Sequence, residues 1–430
     1  MSTPHTHHAL AAEAAALDLA WPRLVDPHAL QVPEGTLYLD GNSLGPSSAA
    51  AAGAVRAALD RWAAVGVLGW SDGDAPWFHA AERTAARLAP LVGAEAGELV
   101  VAGTTTQLLH QLLATFYRPT AERFRIVIEQ GAFPTDRHAV NSLLAARGQS
   151  PARAVAEVAP SAQGFLDIDE VAAAFRPDVQ LAVLPGVVYT TGQRLPIARL
   201  DAAARRAGVR IVWDLSHSVG LVPHRLHDEV ELAVFCTYKY LNGGPGSPAA
   251  AFVHRALLPI APAHQGWWGQ DKAAQFGMRE LWAGASDAGA LQLGTPSVLA
   301  LAALEGALTL YQGVAMEDVE ARAGMLTDFL CRASDALLAP WGVRVATPRE
   351  PRGRGGHVAL AHPDAPALSL ALRQRRVIVD YRPPNLLRLA PAPLYTDAAD
   401  VLAAVACLAR ILSSGGHAAF ADPAARAAVT

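Results

Sequence analysis

Residues 209–248 read VRIVWDLSHSVGLVPHRLHDEVELAVFCTYKYLNGGPGSP, and two apolar runs in this stretch indicate the fold class. The runs VRIVWD (209–214) and LAVFC (232–236) are short, and each is followed by polar residues and glycine. Short apolar runs that do not alternate with polar side chains are typical of strands buried on both faces of a parallel sheet. Asp214 ends the first run and Lys239 closely follows the second, so both are expected at the same edge of that sheet.

The same pattern extends from about residue 95 to residue 255, where short apolar runs alternate with longer helical patterns. This alternation predicts an α/β domain with a mostly parallel, seven-stranded sheet wrapped by helices. Helix boundary residues agree with it: Asp167 with Glu170 resembles a capping box, Pro196 stands at a helix start, and Gly148 and Gly208 follow helices. The predicted strands are LVVAG (99–103), FRIVIE (124–129), RAVAEV (153–158), VQLAVLP (179–185), VRIVWD (209–214), LAVFC (232–236) and AAFVH (250–254).

The flanking segments predict a smaller second domain of mixed α and β structure. Alanine-rich helices are expected at 48–64 and 77–92, separated by the aromatic loop GVLGWSDGDAPWF (66–78). A long helix is expected over 297–339, and a final helix over 396–412, after which 413–430 reads as a loosely held tail. We therefore predict an N-terminal arm with helices packing on the small domain (1–65), a large domain (66–296) and a small C-terminal α+β domain (297–430).

Composition narrows the class of protein. The chain has 430 residues, 52% hydrophobic and 17% charged, with a net charge of −4, so it is long enough for two or three domains and has no basic footprint for nucleic acid or anionic membranes. Its three cysteines form no CxxC pair, which predicts neither a disulfide framework nor a metal site. With no signal peptide or membrane span in the pattern, we expect a cytoplasmic protein.

Two strand ends carry residues suited to an anionic, aromatic ligand. GTTTQ (103–107) leads directly into a helical pattern, and hydroxyls with free backbone N–H groups at a helix start can bind phosphate, so Thr104 and Thr105 are candidates. Ordinary threonine capping of that helix is the alternative. In FPTD (133–136), Phe133 precedes a proline that fixes the backbone, and Thr135 or Asp136 is expected to cap the next helix.

The remaining two strand ends supply an acid and an amine. Asp214 lies at the end of a buried strand, where a carboxylate needs a cationic partner such as a protonated ring nitrogen. The alternative is that Asp214 only caps the following turn. His217 follows Asp214 by three residues and is expected near it. Of the 35 basic residues only Lys239 and Lys272 are lysines. Partial burial would favour the neutral amine of Lys239 that can form a Schiff base, whereas Lys272 reads as a solvated loop cation. This ordered set is the one needed to hold pyridoxal 5′-phosphate.

With these residues in place, the sequence resembles the kynureninase family, pyridoxal-phosphate enzymes of the aspartate-aminotransferase-like fold, fold type I. The resemblance covers most of the chain, and the segments NGGPG and GWWG, with the C-terminal RLAPAPLY, distinguish it from aminotransferases in general. The matching stretches are YLDGNSLGP (38–46), FPTD (133–136), YTTGQ (189–193), DLSHSVG (214–220), TYKYLNGGPGSP (237–248), GWWGQ (266–270), LGTPS (293–297) and LRLAPAPLY (387–395).

The resemblance implies roles for individual residues. Lys239 would bind the cofactor covalently, Phe133 would stack on its ring, and Asp214 would pair with the ring nitrogen. Arg388 would bind the substrate α-carboxylate, as a planar bidentate donor can, with Asn42 and Ser43 on the substrate side. The other positions implied to line the cofactor, some of them contributed by the second subunit of a homodimer, are Thr104, Thr105, Pro134, Thr135, Asp136, Thr191, His217, Tyr238, Trp267 and Thr295.

The activity implied is hydrolytic Cβ–Cγ cleavage of L-kynurenine to anthranilate and L-alanine, with Tyr238 as the candidate acid–base residue beside Lys239. Trp70 stands where part of the family has a histidine that meets the substrate ring, which leaves the choice between kynurenine and its 3-hydroxy form open. A cysteine desulfurase-like lyase is the alternative of the same fold, although the three cysteines fall in strand or helix patterns. A non-catalytic cofactor-binding module is the other alternative, and the joint presence of Lys239, Asp214 and Arg388 disfavours it.

Overall fold

The computed structural model describes residues 4–420. The strands are β1 (Leu30–Gln31), β2 (Leu37–Tyr38), β3 (Ser47–Ser48), β4 (Leu99–Ala102), β5 (Arg125–Glu129), β6 (Val155–Val158), β7 (Val179–Pro185), β8 (Arg210–Asp214), β9 (Leu232–Phe235), β10 (Ala249–Val253), β11 (Arg344–Val345), β12 (Val358–Ala361), β13 (Val377–Ile378), β14 (Asp380–Arg382) and β15 (Leu386–Leu389). The helices are α1 (Pro4–Ala20), α2 (Ala49–Val65), α3 (Ala80–Leu88), α4 (Thr105–Phe116), α5 (Pro134–Ala146), α6 (Pro151–Ala154), α7 (Ile168–Ala173), α8 (Ile197–Arg206), α9 (Leu226–Glu229), α10 (Val298–Ala307), α11 (Met316–Leu338), α12 (Ala365–Gln374) and α13 (Ala398–Ser414).

The large sheet has seven strands in the order β4-β10-β9-β8-β7-β5-β6. Strands β6, β5, β7, β8 and β9 run parallel, and β10 is antiparallel to both of its neighbours. The predicted α/β class, with a mostly parallel seven-stranded sheet, is therefore confirmed. Because β5, β8 and β9 are parallel, the residues that follow them meet at one edge of the sheet.

The central strands are buried on both faces, as their unbroken apolar sequences predict. Trp213 and Phe235 point into one hydrophobic cluster, and Val212 and Val234 point into the cluster on the opposite face. Burial of each such side chain contributes roughly 1.5–3 kcal/mol, so the sheet leaves no room for polar groups until its strands end. The chemistry-bearing residues are consequently concentrated at the strand ends.

The smaller sheet is antiparallel, in the order β11-β12-β15-β14. The N-terminal segment joins this part of the molecule: β2 pairs with β13 in parallel, and Asp40 forms an isolated bridge with Ala390. This pairing places the loop 38–46 beside the strand that carries Arg388. Helix α1 packs on α13 and α11, whereas α2 packs on α10. The division at 1–65, 66–296 and 297–430 stays a prediction.

Several element boundaries differ from the predicted ones. Arg153 and Ala154, predicted as strand, belong to the short helix α6, which Pro151 begins. The segment 77–92 is helical but changes from 3₁₀ to α and back to 3₁₀ at its two ends. The continuous helix expected over 297–339 is wrong: α10 and α11 meet at an angle of 82°, because a 3₁₀ turn and Gly313, at φ +77°, separate them.

No single helix within residues 4–420 combines the length and apolar character needed to span a membrane. Among the described residues, only α10 and α11 taken together reach that length and apolar character, and the pair is bent by 82°. The last part of the tail, residues 421–430, lies outside the described residues.

Candidate active site

Lys239 lies four residues beyond the end of β9, in a turn that buries its side chain almost completely, with 8% of the residue exposed. Its Nζ is 3.3 Å from Nε2 and 3.5 Å from Nδ1 of His217. The Phe133 ring centroid is 5.8 Å from the same Nζ. Burial, and then the charge of Lys239, hold the pKa of His217 well below its usual range, so the imidazole beside the amine is neutral. The predicted amine therefore stands between an aromatic ring and a neutral base.

Three carboxyl groups surround the edge of the sheet at which Lys239 lies. Asp214 ends β8 and accepts the backbone N–H of Ser216 at 2.8 Å, so it does cap the following turn. Burial, followed by the charges of Asp214 and Glu129, raises the pKa of Asp136 well above its ordinary value, and burial raises the pKa of Glu129 to about 8. Asp136 Oδ1 is buried without a hydrogen-bond partner among the described residues. Such a cluster suits a ligand that carries a cationic ring nitrogen.

The helix start after β4 provides the anion-binding end. Thr104 caps α4: its Oγ1 accepts from Gln107 N at 3.2 Å, while its own N–H donates to Gln107 Oε1 at 2.9 Å. The capping alternative is thus correct for the Thr104 side chain. The Thr105 hydroxyl is buried without a hydrogen-bond partner in the part of the chain that the structure describes, and the Thr106 and Thr135 hydroxyls are 3.4 Å apart. Free donors of a helix N-terminus and an unpartnered hydroxyl are what a phosphate would use.

The predicted cap of the next helix is wrong. Helix α5 begins at Pro134, so Phe133 is its N-cap residue, and neither Thr135 nor Asp136 caps it. Proline at the first helical position already lacks the N–H that a cap would satisfy. This shift of boundary turns Asp136 inward, where it is 3% exposed, and keeps the Phe133 ring next to Lys239.

Arg388 is fully buried and tightly held. Its Nε donates to Asp380 Oδ1 at 3.0 Å, Nη2 donates to Asp380 Oδ2, and Nη1 donates to the carbonyl of Tyr189 at 2.5 Å. The loop 38–46 closes on this pair: Ser43 Oγ donates to Asp380 Oδ2 at 2.8 Å, and the Asn42 amide oxygen, in its satisfied orientation, accepts from Arg388 Nη2 at 3.2 Å. The three predicted substrate-side residues therefore form one network.

Trp267 and Thr295 lie apart from the Lys239 cluster within one chain, whereas Thr191 lies near Arg388. Trp267 is 40% exposed and contacts Phe276 on the surface. Thr295 lines a cavity of about 360 Å³ together with Gly103 and Gln107 at the start of α4. Thr191 accepts the backbone N–H of Gln193 at 3.3 Å in the loop beside Arg388.

Lys272 is not the solvated cation that its loop position suggests. Its Nζ donates to the Trp268 carbonyl at 3.3 Å, lies 4.4 Å from the centroid of the Trp268 ring and is 3.4 Å from Glu82 Oε1. Burial lowers its pKa. The lysine is held by an aromatic cluster that also contains Trp70 and Phe78.

Four buried polar residues at the site were not assigned from the sequence: Glu129, Asp40, Asp380 and His357. Glu129 could have been found, since it ends a buried strand as Asp214 does. Burial and the neighbouring charge of Asp380 raise the pKa of Asp40 to about 7. Asp380 and His357 come from the small sheet, and only folding brings them to the edge of the large one.

These groups fit pyridoxal phosphate. The buried amine matches the aldehyde of the cofactor, and the aromatic ring 5.8 Å from that amine matches the cofactor ring. The acid cluster with its unpartnered oxygen matches the ring nitrogen, and the helix start with its unpartnered hydroxyl matches the phosphate. Lys239, Phe133, Asp214 with Asp136, and Thr105 would hold these parts.

A separate group of potential metal ligands, Glu98, His227 and His254, lies at the opposite edge of the sheet. Glu98 already accepts from His227 Nδ1 at 2.8 Å and from the backbone N–H of Arg255 at 2.9 Å, and His254 Nδ1 accepts from Ala256 N at 3.1 Å. Hydrogen bonding accounts for this group, and the expected lack of a metal stays a prediction.

Solved structures show the same fold at low sequence identity. The cystine C–S lyase C-DES, in a mutant with glycine covalently linked to its PLP cofactor, aligns with a TM-score of 0.78 at 19% identity, over 89% of this chain and 99% of that one. The cysteine desulfurase CsdA of Escherichia coli aligns with a TM-score of 0.74 at 18% identity, over 91% of this chain and 99% of that one. At these identities the likeness shows the fold alone, which confirms fold type I.

Curated relatives narrow the family. The kynureninase of Geobacillus thermodenitrificans (strain NG80-2) is 38% identical over 382 residues, 89% of both chains, and that of Shouchella clausii (strain KSM-K16) is 37% identical over 86% of this chain and 87% of its own. Residues 319–408 also match the family described as kynureninase C-terminal domain. Lys239, Asp214 and Arg388 are the central residues of the candidate site described above. Sequence identity at this level over nearly nine-tenths of both chains shows that the chain belongs to the kynureninase family of pyridoxal-phosphate enzymes.

Proposed function

We propose that this enzyme hydrolyses L-kynurenine between Cβ and Cγ, giving anthranilate and L-alanine as a step of tryptophan degradation. The proposal rests on one observation: a chain of the kynureninase family has the buried amine of Lys239, the acids around Asp214 and the buried cation Arg388, which is proposed to bind a carboxylate. Water supplies the oxygen and the two hydrogens by which the products exceed the substrate.

Bound pyridoxal phosphate supplies an electron sink for the electrons released at the substrate's α- and β-carbons. Asp214, supported by Asp136, keeps the ring nitrogen protonated, which makes that sink effective. Lys239 would hold the cofactor, and its amine would remove the proton from the substrate's α-carbon. His217, neutral at 3.3 Å from Nζ, is placed to accept a hydrogen bond from this amine.

Tyr238 is the proposed acid for the second half of the reaction. Burial raises the pKa of its phenol above the ordinary value, so the hydroxyl keeps its proton at neutral pH. A protonated hydroxyl can donate its proton to the γ-ketone oxygen while the adding water returns a proton to the phenolate. The same group can then accept a proton from the hydrated ketone and deliver it to the β-carbon as the Cβ–Cγ bond breaks.

Arg388, Asn42 and Ser43 are proposed to orient the amino-acid end of the substrate. Three N–H groups of Arg388 donate hydrogen bonds to Asp380 and Tyr189. Because these bonds fix the orientation of the guanidinium, it presents a fixed edge to a carboxylate. Trp70, packed against Trp77 and Trp268, belongs to the proposed aryl side. 3-Hydroxykynurenine is a second substrate to be compared.

We propose a homodimer with active sites at the interface. Large apolar side chains stand exposed in the segments 59–68 and 267–293, and Trp267 and Thr295 lie outside the Lys239 cluster of their own chain, as residues contributed to a partner's site would. The exposed side chains in these two segments are Leu59, Trp62, Val65, Val67, Leu68, Trp267, Phe276, Met278, Leu281 and Leu293. The three free, buried cysteines fit a reducing compartment, and the proposed location is the cytoplasm.

A cysteine desulfurase-like lyase is the second candidate, because the solved structures that align with the chain include such enzymes. That chemistry uses an accessible thiolate. Cys236, Cys331 and Cys407 are all buried, and burial raises the pKa of Cys331. The thiols of this chain are therefore unsuited to it.

The deciding experiment incubates the purified enzyme and pyridoxal phosphate with L-kynurenine, and measures anthranilate by fluorescence and alanine in equal amounts. L-cysteine is run in parallel with sulfide as the readout. Equimolar anthranilate and alanine are expected. Cofactor absorbance without either product would overturn the proposal, and sulfide release would favour the lyase.

A further inference from the structure

His357 is a buried imidazole at the active site for which the roles above give no use. It is 0% exposed, and neither Nδ1 nor Nε2 makes a well-aligned hydrogen bond within residues 4–420, although the Tyr189 backbone is close enough to raise the pKa of the ring. Its ring centroid is 6.2 Å from that of His217. A buried polar group without a well-aligned partner is unfavourable, and a bound ligand is one way to satisfy it.

The register of the small sheet places His357 next to Arg388. Ala359 of β12 pairs with Arg388 of β15, and side chains two residues apart on a strand point to the same face. His357 therefore shares the face of Arg388, diagonally across from it. The residues on that face between them, Ala359 and Ala390, carry only methyl groups, so nothing bulky separates the imidazole from the guanidinium.

The charge around His357 favours an anion. Burial, then the cations Arg388 and Lys239, hold the pKa of His357 well below its usual range; a poorly aligned hydrogen bond with the Tyr189 backbone acts in the opposite direction, and Arg382 lowers the pKa further. The ring is neutral, and a neutral imidazole always offers one N–H donor. Arg388 meanwhile commits three donors to Asp380 and Tyr189, so a carboxylate bound there has a use for another donor.

We propose that His357 donates a ring N–H to the α-carboxylate of the amino-acid substrate, next to Arg388. This assigns a second carboxylate-binding residue to the site, supplied by the residue that directly precedes β12, the strand that pairs with the Arg388 strand. The inference rests on the proposed function and adds a determinant of selectivity for amino acids over amines.

The test compares the wild-type holoenzyme with His357→Phe, which keeps ring volume without a donor, and His357→Gln, which keeps an N–H. Dissociation constants for L-kynurenine, for the amine left when L-kynurenine loses its carboxylate, and for L-alanine are measured from the change in cofactor absorbance. A hydrogen bond to a charged group predicts that His357→Phe weakens both amino acids about 10- to 100-fold, with the amine changed less than about threefold. The Gln variant should recover most of the affinity.

Unchanged affinity of His357→Phe for amino acids would overturn the inference, as would equal losses for the amino acids and the amine. Equal impairment by Phe and Gln would also count against a donated hydrogen bond. His362→Phe is the matched control: His362 follows the same strand and contacts the Trp341 carbonyl at 3.2 Å, and its affinities should equal those of wild type. Because L-alanine binding needs no cleavage, this result is independent of whether L-kynurenine is the substrate.

Discussion

Lys239 and Lys272 are a natural pair for testing the cofactor anchor, because both amines are partly buried against aromatic rings. They differ in what surrounds Nζ: Lys239 meets neutral His217, and Lys272 meets Glu82 and the Trp268 carbonyl. The Glu82 carboxylate favours the ammonium form of Lys272, but burial lowers the pKa of that lysine overall. Lys239 is the amine that faces Phe133 and His217, both proposed to line the cofactor, so it is the proposed site of covalent attachment.

We expect Lys239→Ala to lose covalent cofactor attachment and to lower kcat by on the order of 10³-fold, because it removes both the anchor and the proton-transferring amine. Borohydride reduction followed by peptide mapping should fix the cofactor on Lys239 in wild type and in Lys272→Ala. Attachment that survives in Lys239→Ala, or that disappears in Lys272→Ala, would contradict the assignment.

His224 predicts a pH dependence of stability away from the site. Burial lowers its pKa from 6.5 to about 3, and its Nε2 lies 3.0 Å from the Ser218 hydroxyl. The folded state keeps this ring neutral while the unfolded chain protonates it below pH 6.5, so its contribution to stability is present above that pH and is lost as pH falls. Between pH 7 and 5.5 the unfolding free energy of wild type should fall by about 1 kcal/mol more than that of His224→Gln, measured by urea denaturation. Parallel pH profiles would contradict the prediction.

Helix α11 joins the N-terminal arm to the small domain through one buried cation. Arg322 donates to the carbonyls of Trp21, Pro393 and Thr396 and to Asp397 Oδ1 at 2.8 Å. These partners lie just after α1 and in the loop before α13, so a single side chain of α11 binds two separate segments.

We expect Arg322→Met to lower the unfolding free energy by about 3–5 kcal/mol, because buried carbonyls and a carboxylate lose their donor. Arg332→Met on the same helix is the control: Arg332 is half exposed and pairs with Glu13 and Asp328, which predicts a loss below about 1 kcal/mol. Urea denaturation of both variants measures the change in unfolding free energy. Equal decreases for the two variants would show that the hydrogen bonds of Arg322 contribute no more to stability than an exposed ion pair does.

The exposed apolar side chains predict the assembly of the whole molecule. Trp62 and Leu68 are 59% and 55% exposed near the aromatic cluster, and patches of this kind mark interfaces. Trp62→Glu with Leu68→Glu should convert a dimer of twice 45.1 kDa to monomer at micromolar concentration, as sedimentation velocity would show. Leu19→Glu is the control, since Leu19 is 86% exposed on α1, which packs on small-domain helices. A wild-type monomer would refute the interface.

Prediction from the sequence succeeded where the pattern was local. The strands β7, β8 and β9 were recognised nearly to the residue, because burial on both faces leaves an unbroken apolar run. The 82° break between α10 and α11 was missed, since both halves are apolar and only a single Gly313 in the left-handed conformation marks the turn. The cap of α5 was misplaced for a similar reason: a proline at the helix start removes the need for the capping side chain that was expected.

The sequence by itself determined the fold class, because strands buried on both faces leave unbroken apolar runs, and it restricted the proposed cofactor anchor to two amines, because the chain has only two lysines. The tertiary structure alone decided which polar groups face one another. His357 and Asp380 reach the site through pairing in the small sheet, and Asn42 and Ser43 reach Arg388 because β2 pairs with β13. Contacts between residues more than 300 positions apart depend on strand register and domain packing, which no local pattern of side chains encodes.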